Sequence, residues 1–279
     1  MYITLFHRGD RLGANITTYI VQIIYAVKHH LYINYSRDEL NYNQSIFVKA
    51  LFDFIDKHNR YLTKDGDRVV WNNTGDWVYT VSNVTKNIHC DLVSFFRQHI
   101  LSSIQINFYS FAIHAGYSIP FDYKKTILIH LRLDDVSGVS DYDGRVCADY
   151  YKAKIEANEL CICECLENNK YNQQAPIMSY KLEEQIKKIR TIYKDHQVKI
   201  ITSPGSTTDL PYECIRSQDA SYDLFLLSMC DIIILSRSTY ALSALFFGKY
   251  TEAYVPLWGH AVCTGLYTKY DNTNFNYFY

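Results

Sequence analysis

The stretch Thr126–Leu133, TILIHLRL, constrains the fold more than any other part of this sequence. It is a β-branched apolar run, too short for a stable helix, and it ends in an arginine and an acidic pair; it reads as a buried strand. Helical segments separate it from similar short apolar runs, and that alternation is the signature of a parallel α/β architecture.

In the first half, Tyr2–Phe6 reads as a strand leading into the turn His7-Arg8-Gly9-Asp10-Arg11-Leu12-Gly13. Asn15 is placed to cap the next helix, where Ile16, Ile20, Ile23, Ile24 and Val27 recur at helical spacing. Leu31–Asn34 follows as a strand, and Ser45–His58 as a helix with Phe47, Leu51, Phe54 and Ile55 on one face. Lys64–Asn87 is polar and turn-rich and reads as a loop or small hairpin; Asp91–Ile104 is helical.

In the second half, a polar loop at Asp134–Arg145 precedes helices at Asp149–Leu160 and Lys181–Tyr193. Val198–Thr202 is a strand, Tyr222–Met229 a helix, Asp231–Leu235 a strand, Ser238–Phe247 a helix and Tyr250–Val255 a strand. Tyr267–Tyr279 suits a final helix that crosses back. Pro120 and the charged pair after it interrupt the pattern, dividing the chain into 1–120 and 121–279.

Bulk charge narrows the partners. Lys and Arg number 28 against 29 Asp and Glu, so no general field draws the chain to nucleic acid or an anionic membrane. Phosphate recognition must then come from a few placed groups. No window approaches the roughly 20 apolar residues that span a bilayer. MYITLFHRGD has neither the basic start nor the apolar core of a signal peptide. The expectation is a cytoplasmic protein without a membrane span, its 8 cysteines carried as free thiols.

Ligands of open parallel sheets sit beyond the carboxyl ends of the strands. Three turns there carry suitable chemistry. Strand alternation puts His130, Arg132 and Asp134 on one face, and a guanidinium there can fork onto a diphosphate; an Arg132–Asp134 ion pair is the plainer use. Ser236-Arg237-Ser238-Thr239 opens a helix and offers hydroxyls and free N–H groups to an anion, or an ordinary N-cap. Gly9 and Gly13 flank Asp10-Arg11-Leu12 and allow close backbone approach to a substrate, although the Gly-x-Gly-x-x-Gly fingerprint is absent.

Taken together, these residues resemble the fucosyltransferase superfamily of the two-Rossmann (GT-B) type. His130-x-Arg132-x-Asp134-Asp135 is similar to its His-x-Arg-x-x-Asp type of motif. Gly9 to Asn15 is similar to its Gly-rich first turn, and Ile234 to Thr239 to its late strand–turn–helix at the donor phosphates. The compact, unanchored chain also resembles the cytosolic capsid-glycan glycosyltransferases of chloroviruses, which would place it in the host cytoplasm. Leu133 stands where the fucosyltransferases carry a second arginine, so UDP-xylose and GDP-fucose remain equal candidate donors.

The resemblance implies two Rossmann-like halves facing each other across a cleft, and inverting transfer of the sugar to a glycan or glycoprotein hydroxyl without a required metal. Arg132 with Ser238 and Thr239 would stabilise the departing diphosphate; Gly9, Gly13, His130, Ser203 and Ser236 complete the donor side. Asp10 is the favoured general base, and it equally suits a turn cap or a partner for Arg8 or Arg11. Asp134 and Asp135 follow, then His7. The turn Thr202–Ser206 offers hydroxyls to the nucleoside, and Tyr222 or Asp223 is read with it as a neighbour.

Two other readings compete. Asp141-Tyr142-Asp143 matches the Asp-x-Asp by which GT-A enzymes hold Mn2+ or Mg2+, within what reads as a solvated loop. A carbohydrate-binding protein without turnover would use aromatic faces and need no diphosphate site. Cys161-x-Cys163-x-Cys165 has poor spacing for zinc, and the chain lacks both a P-loop and a Gly-x-Ser-x-Gly elbow.

Overall fold

The computed structural model describes residues 1–7, 11–39, 43–69, 77–133, 135–136, 138–159, 174–266 and 275–278. Its centre is a six-stranded, wholly parallel sheet. The strand Thr126–His130 (β3) lies inside it, with Gln197–Ile201 (β4) on one flank and Ile232–Ile234 (β6) on the other. Glu213–Ile215 (β5) extends the first flank; Glu252–Pro256 (β7) and Phe275–Phe278 (β8) extend the second. The spatial order β5-β4-β3-β6-β7-β8 is that of a doubly wound α/β sheet. The order in which the chain adds strands reverses between β3 and β6, leaving a crevice at their carboxyl ends.

Alternation along β3 separates two apolar layers. Ile127 and Ile129 pack under the helix Ser179–Ile192 (α7) through Leu182, Ile186 and Ile189. Leu128 faces the other way, into a cluster with the helices Ala220–Met229 (α8) and Thr239–Phe247 (α9). All five residues of β3 are buried, as the interior strand of a sheet covered on both faces must be.

The first half contributes a parallel pair, Tyr2–Thr4 (β1) and Tyr32–Asn34 (β2), joined by the helix Leu12–Lys28 (α1). Side-chain amides extend this small sheet. Gln22 accepts from Phe6 N at 2.8 Å and donates to Phe6 O at 2.8 Å; Asn59 does the same for Ile33 at 2.9 and 2.8 Å. Each amide satisfies backbone groups that a further strand would otherwise take.

Around the pair stand the helices Ile46–Asn59 (α2), Trp77–Ile88 (α3), Leu92–Phe96 (α4) and Ser102–His114 (α5), the last two joined through a π-helical turn at Arg97–Leu101. No gap in the core separates the halves: Ile16, Phe47 and Phe96 share one cluster with Leu128, Phe246 and Trp258. Phe47 meets Phe247 edge-on with centroids 4.8 Å apart, and Thr85 donates to Cys263 O at 2.8 Å.

Several expectations need correction. Part of 64–87, expected as a loop, is α3, because Val81, Val84 and Ile88 recur at helical spacing and are buried. The polar stretch 134–145 gives way at Asp141 to the helix Asp141–Glu156 (α6), so Asp141 and Asp143 lie in a first helical turn and not in a solvated loop. The chain end holds β8 in place of a crossing helix, while 267–274 and 279 lie outside the described residues. β5 and the short helix Gly259–Cys263 (α10) had no reading of their own.

Candidate active site

The carboxyl ends of β3, β4 and β6 open into a cavity of about 300 Å³. That lies at the lower end of the usual range for small-molecule sites. Residues from both halves line it: Arg11, Leu12, Gly13 and Ala14 from the start of α1, and His130, Arg132, Thr202, Ser203, Asp223, Ser238, Thr239 and Tyr240 from the second half. Of the residues expected at the donor site, Gly13, His130, Arg132, Ser203, Ser238 and Thr239 thus meet in one place.

Two helix starts face this cavity with their first turns uncapped by side chains. At α1 the N-cap residue is Arg11, and at α9 it is Ser238; neither side chain accepts a bond from its own helix. Ser238 occupies the N-cap position without performing the capping bond. Asn15 is not a cap at all: it sits inside the first turn of α1 and donates Nδ2–H to Arg11 O at 3.2 Å. First-turn N–H groups with the helix dipole behind them favour an anion. The starts of α1 and α9 come this close because Gly13 has no Cβ: an added one would stand 2.2 Å from Tyr240 Cα.

His130 closes the floor of the crevice. Its Nδ1 lies 2.6 Å from Ser236 Oγ, which ties the end of β3 to the turn after β6 across the switch point. Burial first, and then the neighbouring Arg132 charge, hold the imidazole down at about 3, so the ring is neutral at physiological pH. Ser236 therefore acts beneath the surface of the site, orienting His130.

Arg132 is held, not loose. Its Nε donates to Asp135 Oδ1 at 2.9 Å, its second arm reaches Asp135 Oδ2, and its third bonds Gln174 Oε1. Arg11 donates to the same Oδ2 from the first half. Among the described residues, the carboxylate that pairs with Arg132 is Asp135. β3 ends at His130, and past that point strand alternation no longer decides which side chain faces which. Both oxygens of Asp135 are engaged by guanidinium groups.

Asp223 was legible only as a neighbour of the nucleoside turn, and the structure gives it a larger part. It lines the cavity from the first turn of α8, is 7% exposed, and its buried Oδ1 has no hydrogen-bond partner. Burial, assisted by Asp219, raises its carboxyl to about 7. A carboxyl of this kind is poised to accept from a ligand N–H or hydroxyl. Beside it, Ser203 and Ser206 share a hydroxyl contact of 2.6 Å, and Thr202 Oγ1 is buried without a partner.

Gly9, Asp10 and Asp134 lie outside the described residues, as do the side chains of Asp141 and Asp143 and the cysteines at 161, 163 and 165. His7 is described, stacked on Phe6 with centroids 6.2 Å apart. Tyr222 donates to Ser118 O at 2.7 Å. Among the described residues no group of His, Cys, Asp and Glu is arranged to hold a metal, and no helix is long and apolar enough to cross a membrane.

Comparison of the chain with models of known protein families, with curated proteins and with solved structures finds no match. What fold and site define is a parallel α/β protein whose crevice, at the switch point of a doubly wound sheet, combines guanidinium groups, open helix starts and a buried carboxyl.

Proposed function

We propose that this protein is a nucleotide-sugar-dependent glycosyltransferase with the two-halved organisation of GT-B enzymes. The observation that carries the proposal is the meeting of Arg132, Gly13 and the Ser238–Thr239 helix start around one cavity at the β3/β6 switch point. A diphosphate fits there because each group offers N–H donors or positive charge. The nucleoside extends toward Ser203 and Asp223, whose carboxyl accepts from the ribose or the base.

In the reaction, the acceptor hydroxyl loses its proton to a carboxylate, for which Asp10, one residue before the cavity-lining Arg11, is the candidate. The acceptor oxygen bonds to the anomeric carbon as the bond from that carbon to the phosphate oxygen breaks. The diphosphate leaves with the electron pair, and inversion at the anomeric carbon results. Arg132 and the helix starts of α1 and α9 stabilise the charge that develops on it. These groups supply the role a divalent cation fills in GT-A enzymes, so the reaction proceeds without one. Xylose from UDP-xylose and fucose from GDP-fucose are the candidate transfers, onto a glycan or glycoprotein hydroxyl.

A thermal-shift panel of GDP, UDP, GDP-fucose and UDP-xylose, with and without EDTA, tests this reading. The expected result is stabilisation by one nucleotide series, unchanged by EDTA. Stabilisation that requires manganese would transfer the role to Asp141 and Asp143, and an absence of any nucleotide response would overturn the proposal.

A further inference from the structure

The first turn of α8 carries Asp223 into the cavity, and side chains of the first half fix that turn in place. We propose that Asp219, the N-cap residue of α8, is the positioning residue for Asp223: it anchors the helix start and keeps the cavity carboxyl proton-bound until a hydrogen-bond donor on the ligand displaces the proton to solvent. The displacement rests on the donor-site reading of the cavity; the control of Asp223 by Asp219 does not.

Three donors converge on the Asp219 carboxylate. Its Oδ1 accepts from Ser221 N at 2.8 Å and from Tyr222 N at 3.2 Å, and its Oδ2 accepts from the Tyr117 hydroxyl at 2.6 Å. Such a set of donors suits a group that only accepts. Two further contacts tie the same turn to the first half. Ser221 Oγ lies 3.0 Å from Ser45 Oγ, with both residues buried, and Tyr222 donates to Ser118 O at 2.7 Å. Burial, and then the Asp219 contact, push the Tyr117 hydroxyl up to about 12, so it remains a donor at neutral pH.

Asp223 stands one helical turn further on, its N–H bonded to Asp219 O at 3.1 Å. Like charges four residues apart on a helix repel. The N–H groups of Ser221 and Tyr222, which a helix start lends to a nearby acid, are spent on Asp219, and Asp223 Oδ1 is buried without a partner. Asp223 also faces Tyr222 on its own helix, Tyr117 from the segment after α5, and Tyr240 from α9. Burial raises each of these hydroxyls, so none carries charge near neutrality. Arg11, Arg132, His130 and His260 line the same cavity, and His130 is neutral. Burial first, and then the Asp219 charge, hold the Asp223 carboxyl at about 7. A ligand N–H or O–H brought to Asp223 supplies the bond that Oδ1 lacks. The carboxylate then becomes the favoured form, and its proton leaves to solvent.

Carboxyl-carbon NMR titration of the wild type, D219N and D219S, with D223N to identify the Asp223 signal, tests the control. Asn and Ser cap helices as Asp does, so both variants keep the helix start and lose the charge. The Asp223 midpoint is expected near neutrality in the wild type and lower by roughly 0.2–0.4 of a pH unit in both variants. Isothermal titration of GDP and UDP at pH 7, in two buffers of different ionisation enthalpy, tests the displacement. The nucleotide that binds should release about half a proton more from the wild type than from D223N. A midpoint unchanged or raised in both capping variants would overturn the role of Asp219, whatever binds. Equal proton release from the wild type and D223N would overturn the displacement and leave the donor site standing. If neither nucleotide binds, the donor-site reading falls and the displacement with it, while the midpoints still decide the role of Asp219.

Discussion

Gly13 and Tyr240 meet backbone to backbone: a Cβ on Gly13 would lie 2.2 Å from Tyr240 Cα and 2.7 Å from its N. The contact joins the first turn of α1 to the first turn of α9, and so one half of the cavity to the other. Because the obstacle is main chain, no side-chain rotation at 240 relieves it. G13A should force the helix starts apart, at a cost of about 2–3 kcal/mol. Denaturant unfolding of G13A alone and combined with Y240A checks this; stability restored by Y240A would show that the clash is with the side chain.

The Ser236–His130 contact predicts an indirect effect. S236A removes the partner of a buried ring nitrogen and should destabilise the protein by about 1–3 kcal/mol. Because His130 is already neutral far below physiological pH, the activity profile between pH 6 and 9 should keep its shape, with a lowered maximum. An inflection near pH 6.5 in the wild type that disappears in H130N would contradict the neutral assignment.

Asp223 should show itself in stability against pH. Its folded-state carboxyl is raised to about 7, so ionisation is harder in the folded chain than in the unfolded one. Its contribution is favourable while it is protonated and is lost as pH rises from about 4 to about 7. D223N removes the ionisation and should stabilise the protein at pH 8, by on the order of 2–3 kcal/mol, with little effect at pH 4. Tm measured for both proteins across that interval decides it. The same variant should weaken nucleotide binding about tenfold, through loss of a charged acceptor.

R132K retains a charge but gives up the fork on Asp135 and the bond to Gln174, so turnover should fall about a hundredfold or more while the fold persists. Initial rates set against far-UV circular dichroism check both halves of that statement. Near-normal turnover in R132K would remove the guanidinium from the mechanism.

The second half was readable because β3 and β6 are short β-branched apolar runs and α7 shows clear helical periodicity. β3, β4, β6, β7 and α9 lie within a few residues of where that pattern puts them. α3 was obscured because its apolar residues are interleaved with Asn, Thr and Ser in a stretch otherwise full of turn formers. β5 has only three residues, fewer than a periodicity argument needs. At the site, Arg132 and Ser238 could be read because each follows a strong strand. Asp135 was harder: its role depends on how the chain turns after His130, and the pull of Arg11 on it comes from residues that no local pattern connects. Asp223 lacked a signal of its own, since a carboxylate in the first turn of a helix is ordinarily a solvated one.

The apolar layer that runs from Ile16 and Phe47 through to Phe246 and Trp258 limits how this molecule can admit a bulky ligand. Swinging the two parts away from each other would tear open that layer and expose aromatic rings to water. Entry is better served by small rearrangements at the mouth, among exposed side chains of the cavity lining. Traffic through the crevice would then be governed by side chains at its lip, over a body that stays shut.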